Sequence, residues 1–142
     1  MDLRSLFARS DNVQEFQANS TIFAEGTPGD VMYVVLDGEV ELRVRDEVLE
    51  VAGPGDIVGE MALIDGKTRS ATARAISDCH LAPVDELRFL YLVHDTPLFA
   101  LHVMRVLADR LRRMNAQWRA PQGLEPIGVR QTARLKVDSL AE

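Results

Sequence analysis

The sequence predicts a mainly β chain: a double-stranded antiparallel β-barrel, or jelly roll, with flanking helices and one long C-terminal helix. Three observations carry that expectation. Between residues 13 and 84, strand-length segments recur at roughly 8–12-residue spacing with glycine-rich turns between them, the pattern of a sandwich or barrel. One segment, residues 39–45, alternates, with Val40, Leu42 and Val44 on one side and Glu41, Arg43 and Arg45 on the other. Successive strand residues point to opposite faces, so this strand is expected to have one wet face. After Pro97 no helix breaker occurs before Pro121, which predicts a single helix over residues 96–119.

Taken in order, residues 2–9 read as a short N-terminal helix. Residues 21–24 form a strand ending in Glu25-Gly26-Thr27-Pro28-Gly29-Asp30, a run of turn formers. Residues 31–36 are a continuous apolar run of strand length, closed by Asp37-Gly38. A strand at 48–52 ends in Gly53-Pro54-Gly55-Asp56, and residues 70–76 and 81–84 supply two more. Asp85 is placed to cap a helix reaching about His94. Thr96-Pro97 reads as an N-cap followed by proline at the first helical position, where the missing N–H costs nothing. Residues 1–119 are therefore expected to form one domain. Residues 120–142, with Pro121, Gly123, Pro126 and Gly128 near their start, are expected to form a flexible tail.

The chain has 142 residues, 46% of them apolar and 27% charged, which excludes a disordered or fibrous class. The net charge of −6 argues against a generic nucleic-acid binder. Charge is unevenly spread: residues 1–95 carry 8 basic and 18 acidic side chains, whereas residues 96–142 carry 8 basic and 4 acidic. No apolar stretch approaches the ~20 residues needed to span a bilayer, and no leader for export is visible. Cys79 is the single cysteine, so no intrachain disulfide forms, and a cytoplasmic location is expected.

The long helix carries a seam. Ala100, Met104, Leu107, Leu111, Met114 and Trp118 follow the alternating spacing of four and three that keeps one stripe facing a partner helix. A helix of 24 residues rises ~36 Å, longer than a small barrel is wide. These features predict a parallel homodimer through the seam, with Arg105, Asp109, Arg112 and Arg119 on the solvated face.

The most informative stretch runs Gly55-Asp56-Ile57-Val58-Gly59-Glu60-Met61-Ala62-Leu63-Ile64, then Asp65-Gly66-Lys67-Thr68-Arg69-Ser70-Ala71. A strand end passes through Gly59 into one helical turn, leaves by a glycine-containing loop and returns as a strand at Arg69. Amides at the start of that turn, those of Glu60, Met61 and Ala62, have no helical partners. They offer positive potential to an anion, and Arg69 adds a planar donor fork. Glu60 is out of place in a pure anion site but fits a ligand that also presents a hydroxyl, because a carboxylate only accepts. Anion and hydroxyl together describe a sugar phosphate.

This stretch resembles the phosphate-binding cassette of the cyclic nucleotide-binding domain family. The surrounding glycines agree, as does Ala108-Asp109-Arg110-Leu111, which is similar to the dimer helix of the catabolite-activator (Crp/Fnr) branch. The resemblance covers roughly residues 10–118. It implies that Glu60 accepts from the ribose 2′-OH, and that Arg69 pairs with the cyclic phosphate beside Gly59, Met61, Ala62, Ser70 and Ala71. It further implies that Arg110, Arg113, Met114 and Asn115 face the base. Val58 stands where the family usually has Phe, and Met114 leaves the choice between cAMP and cGMP open. The resemblance thus implies a non-catalytic regulatory sensor, with an unknown protein partner and no cofactor beyond its ligand.

A cupin-type metalloenzyme shares the barrel, but its metal needs converging histidines. Only His80, His94 and His102 are present, the latter two on expected helices. Cys79 and His80 are strand neighbours pointing apart, and Ser70 and Ser139 have no evident base, so no catalytic or metal-binding residue is assigned. A ligand-free interaction domain of the same fold is the other alternative. The helix-turn-helix carried by activators of the resembling branch does not fit the 23 residues after Arg119, so no direct DNA binding is expected.

Overall fold

The computed structural model describes residues 2–7, 9, 10 and 12–117. The chain divides into two compact units, residues 1–107 and 108–142. In order, the elements of the first are α1 (Leu3–Phe7), β1 (Gln14–Phe16), β2 (Thr21–Phe23), β3 (Val31–Asp37), β4 (Val40–Val44), β5 (Glu47–Ala52), β6 (Ile57–Val58), α2 (Glu60–Asp65), β7 (Thr72–Ala75), β8 (Cys79–Asp85) and α3 (Glu86–Asp95). Helix α4 (Pro97–Gln117) begins in this unit and supplies the described part of the second. Two antiparallel four-stranded sheets, ordered β1-β8-β3-β6 and β2-β7-β4-β5, make the expected jelly roll.

The non-alternating apolar run of β3 has a simple cause: both its faces are covered. Met32 and Val34 enter a cluster with Leu3, Phe7, Val84, Leu92, Phe99 and Val103, contributed by β8 and helices α1, α3 and α4. Val35 enters a second cluster with Val40, Leu42, Val58, Ala73, Ala75, Cys79 and Leu81, which draws on both sheets. Strand β8 splits the same way, Ala82 and Val84 to the first cluster, Cys79 and Leu81 to the second. The buried Cys79 thiol donates to the Glu39 and Ser77 carbonyls at 3.2 and 3.1 Å, and burial pushes it up from its ordinary pKa. Gly38, at φ +84°, lies directly over it, where a Cβ would come within 2.8 Å of Sγ.

The expected wet face of β4 is drier than its sequence implies. Glu41 is buried because Arg43 lies beside it, with Nε at 2.8 Å, and Arg74 of β7 opposes it across the sheet at 3.7 Å. The Arg43 hydrogen bond holds the Glu41 carboxyl below its ordinary value. Arg45 has left the strand, turning at φ +56° with its N–H bonded to Glu25 Oε1.

The helix boundaries follow their caps. The Asp85 side chain accepts from the Arg88 N–H at 2.8 Å to start α3, and Thr96 both closes α3 and accepts from the Phe99 N–H. Helix α4 carries two apolar stripes. Phe99 and Val103 are buried, with Val106 and Leu107 packed partly against the same cluster. Of the expected seam, Met104, Leu111 and Met114 are 55–60% exposed, whereas Ala100 and Leu107 are half-buried. Trp118, Arg119 and the expected tail lie outside the described residues. No helix among the described residues is long and apolar enough to cross a membrane.

Candidate functional site

The site is built where α2 meets the loop that leads into β7. Gly59 caps α2 in the left-handed conformation (φ +82°, ψ 9°), which only glycine adopts without steric cost. The six-residue helix ends at Gly66, also left-handed, whose N–H bonds back to the Ala62 carbonyl. Within that turn the Glu60 side chain is buried to 1% exposure, and Ala62 and Leu63 are buried beside it.

Arg69 is brought to the turn by backbone pairing with the β2–β3 loop. Its N–H donates to the Thr27 carbonyl and its carbonyl accepts from the Gly26 N–H, each at 2.8 Å. The guanidinium then folds inward to 6% residue exposure. Nη1 donates to the Gly59 carbonyl at 3.0 Å and Nη2 to the Val31 carbonyl at 2.7 Å. Its plane sits over the Phe23 ring, with Cζ 4.1 Å from the centroid. Two glycines make the room: a Cβ at Gly29 would fall 2.1 Å from Nε, and one at Gly59 would fall 2.6 Å from Nη1.

The electrostatics are those of a buried cation. Burial draws the Arg69 pKa down, and Tyr33, Asp30 and Glu60 pull the other way; an arginine remains charged at neutral pH. Its Nε is buried without a hydrogen-bond partner among the described residues. An unmet buried donor costs about 1–3 kcal/mol, more for a charged group. Asp56 and Asp65, the obvious surface partners for an arginine here, instead accept from the backbone amides of Gly53 and Lys67.

Of the residues expected at the site, Arg69 meets Gly59 and Ser70 meets Met61, while Glu60, Ala62 and Ala71 are buried along the same segment. Ser70 Oγ donates to Met61 Sδ at 3.5 Å, linking the two arms. Arg110, Arg113, Met114 and Asn115 all fall on α4 in the second unit, where Arg113 pairs with Asp109 one turn earlier. Phe23, Gly29 and the Val31 carbonyl were not expected at the site. Gly29 was signalled by its turn-rich run, whereas nothing in the local sequence marks Phe23. Among the described residues no group of three or more His, Cys, Asp or Glu side chains is placed to hold a metal. His80 lies between Glu15 and Asp37 on the β1-β8-β3 sheet, while His94 and His102 are on α3 and α4.

The pattern of a family described as the cyclic nucleotide-binding domain matches residues 13–96. A "CRP-like cAMP-activated global transcriptional regulator" of Mycobacterium tuberculosis is 33% identical over 106 residues, 71% of this chain and 47% of that protein. The chain spans about half the length of the curated relatives it matches. Among solved structures, the Thermus thermophilus catabolite activator protein is 29% identical with a TM-score of 0.66, covering 92% of this chain and 55% of that one. A structure titled "A cyclic-GMP-dependent signalling pathway regulates bacterial phytopathogenesis" is also 29% identical, with a TM-score of 0.64, covering 75% and 89%. The glycine-capped turn, the inward-folded arginine, the double-sheet barrel and these likenesses agree, and the chain belongs to the cyclic nucleotide-binding domain family.

Proposed function

We propose that this chain is a non-catalytic regulatory sensor of a 3′,5′-cyclic nucleotide, cAMP or cGMP. The observation that carries the reading is the buried Arg69 guanidinium, hydrogen-bonded to the residue that opens α2 and carrying an unmet N–H. In this reading Arg69 pairs with the cyclic phosphate, with Ser70 and the amides of Met61 and Ala62 as further donors. Glu60 accepts from the ribose 2′-OH, and Gly59 and Ala71 let the ligand approach. Relatives named for cAMP activation and a structure titled for cyclic GMP support the ligand class. Arg110, Arg113 and Asn115 are the candidate donors to the base, with Met114 covering it.

The signal passes through the hinge at residues 94–97 to α4, and on to a protein partner; a ligand shifts that equilibrium only by its differential affinity for two states. The seam read from the sequence, Ala100, Met104, Leu107, Leu111, Met114 and Trp118, joins two copies in parallel, a reading supported by the exposure of Met104, Leu111 and Met114. A cytoplasmic location, where cyclic nucleotides act, accords with this role. Titration by calorimetry tests the ligand assignment: micromolar or tighter binding of cAMP or cGMP is expected, and Arg69→Ala should cost ~2–5 kcal/mol of it by leaving a buried phosphate unpaired. Unchanged affinity in that variant would overturn the role of Arg69. For the seam, light scattering should give twice the monomer mass at micromolar concentration, and Met104→Glu with Leu111→Glu should halve it.

A further inference from the structure

We propose that Phe23 is a positioning residue for the cyclic phosphate, acting through the guanidinium of Arg69; the proposal rests on the nucleotide-binding reading above. The Phe23 ring has Arg69 Cζ 4.1 Å from its centroid. The same ring stacks on Tyr33, with centroids 6.4 Å apart and planes 16° apart, and Tyr33 meets Phe16 edge-on at 6.1 Å. Three aromatic side chains from β1, β2 and β3 thus form one fixed shelf under the arginine. Opposing constraints complete the clamp: Gly29 approaches Nε too closely for any side chain, and the Gly59 and Val31 carbonyls accept from Nη1 and Nη2.

The division of labour is chemical. The carbonyls fix the rotation of the guanidinium within its plane, while the ring face fixes the tilt of that plane. A ring attracts the cation through its quadrupole, and neither ring nor carbonyl carries a charge that would cancel it. A carboxylate in the place of Phe23 would hold the arginine as firmly but compete with phosphate. An aliphatic side chain would fill the volume without the attraction. Holding the cation ready also removes the cost of ordering a rotamer-rich side chain when the anion arrives.

The test uses the full chain with cAMP and cGMP as probes. Phe23→Leu should weaken binding about five- to thirty-fold, the range expected for a partly desolvated cation–ring contact, and Phe23→Tyr should stay within about two-fold of the unaltered protein. In an Arg69→Ala background, titrated at raised nucleotide concentration, Phe23→Leu should have almost no further effect. NMR of the unaltered chain supplies a readout independent of any variant: the Arg69 Nε–H resonance should show a ring-current shift. Binding in the unaltered protein that Arg69→Ala weakens but Phe23→Leu leaves alone would overturn the proposal and spare the nucleotide reading. Equal losses from Phe23→Leu in both backgrounds, or no ring-current shift, would also overturn it. No binding of either nucleotide by the unaltered chain would overturn both.

Discussion

The cluster beneath the helices and the cradle at α2 occupy the same barrel but bury different chemistry. Leu3, Phe7, Val84, Leu92, Phe99 and Val103 form the first from side chains with no polar atom, and the partly buried Phe89 ring meets Phe99 edge-on, 5.6 Å apart. The second sinks an arginine and a glutamate, nine positions apart in the chain, to 6% and 1% exposure. Apolar burial stabilises the fold outright. Burying a charge costs free energy unless it is paired and hydrogen-bonded. The cluster is therefore explained by folding alone, whereas the proposed nucleotide would account for the charges sunk in the cradle.

The sharpest way to break this contrast is to hollow the cluster. Phe99→Ala should cost about 3–5 kcal/mol of unfolding free energy, read from denaturant titration, while leaving the folded fraction able to bind nucleotide. Arg69→Ala should do the reverse, changing binding far more than stability; a variant that unfolds as readily as Phe99→Ala would place the cradle among structural features. Between the two lies Gly59→Ala. A Cβ there meets a left-handed backbone and stands 2.6 Å from Arg69 Nη1 and 3.2 Å from the Phe23 ring. The loss should be about 1–2 kcal/mol for the backbone alone, with a fall in affinity that denaturant titration and calorimetry measure separately.

A smaller effect tests the helix-covered side. Burial draws the His102 pKa below its ordinary value, aided by Arg105 and opposed by Asp56. The unfolded chain therefore takes up a proton at a higher pH than the folded one. The stability His102 supports is present above the unfolded value near 6.5 and is lost as pH falls through the lower folded value. Melting temperatures measured downward from pH 7 should decline, and His102→Gln should flatten that part of the profile.

Much of the fold was legible because its signals are local. The apolar run of β3, the turn formers that follow β2 and the Thr96-Pro97 junction each announce their own structure. Strand β1 announced nothing, being three residues long and defined only by a partner far along the chain, Leu81 for Gln14, and β6 was legible only as the strand end before Gly59. Glu41 misled for the same reason: it reads as a wet-face residue until Arg74 is set opposite it. In the site, Gly59, Glu60 and Arg69 share one continuous segment and could be read together. Phe23 lies 46 positions before the arginine it supports, and no periodicity connects them.

Cys79, sealed beneath Gly38 with its thiol bonded to two carbonyls, has a practical consequence. Alkylating reagents require a thiolate, and this thiol becomes one readily only in conformers where β8 has parted from its neighbours. The rate at which the chain takes up such a label therefore counts openings of the turn at Gly38 and of the start of β8. The molecule carries its own clock for opening, and needs neither dye nor substitution to read it.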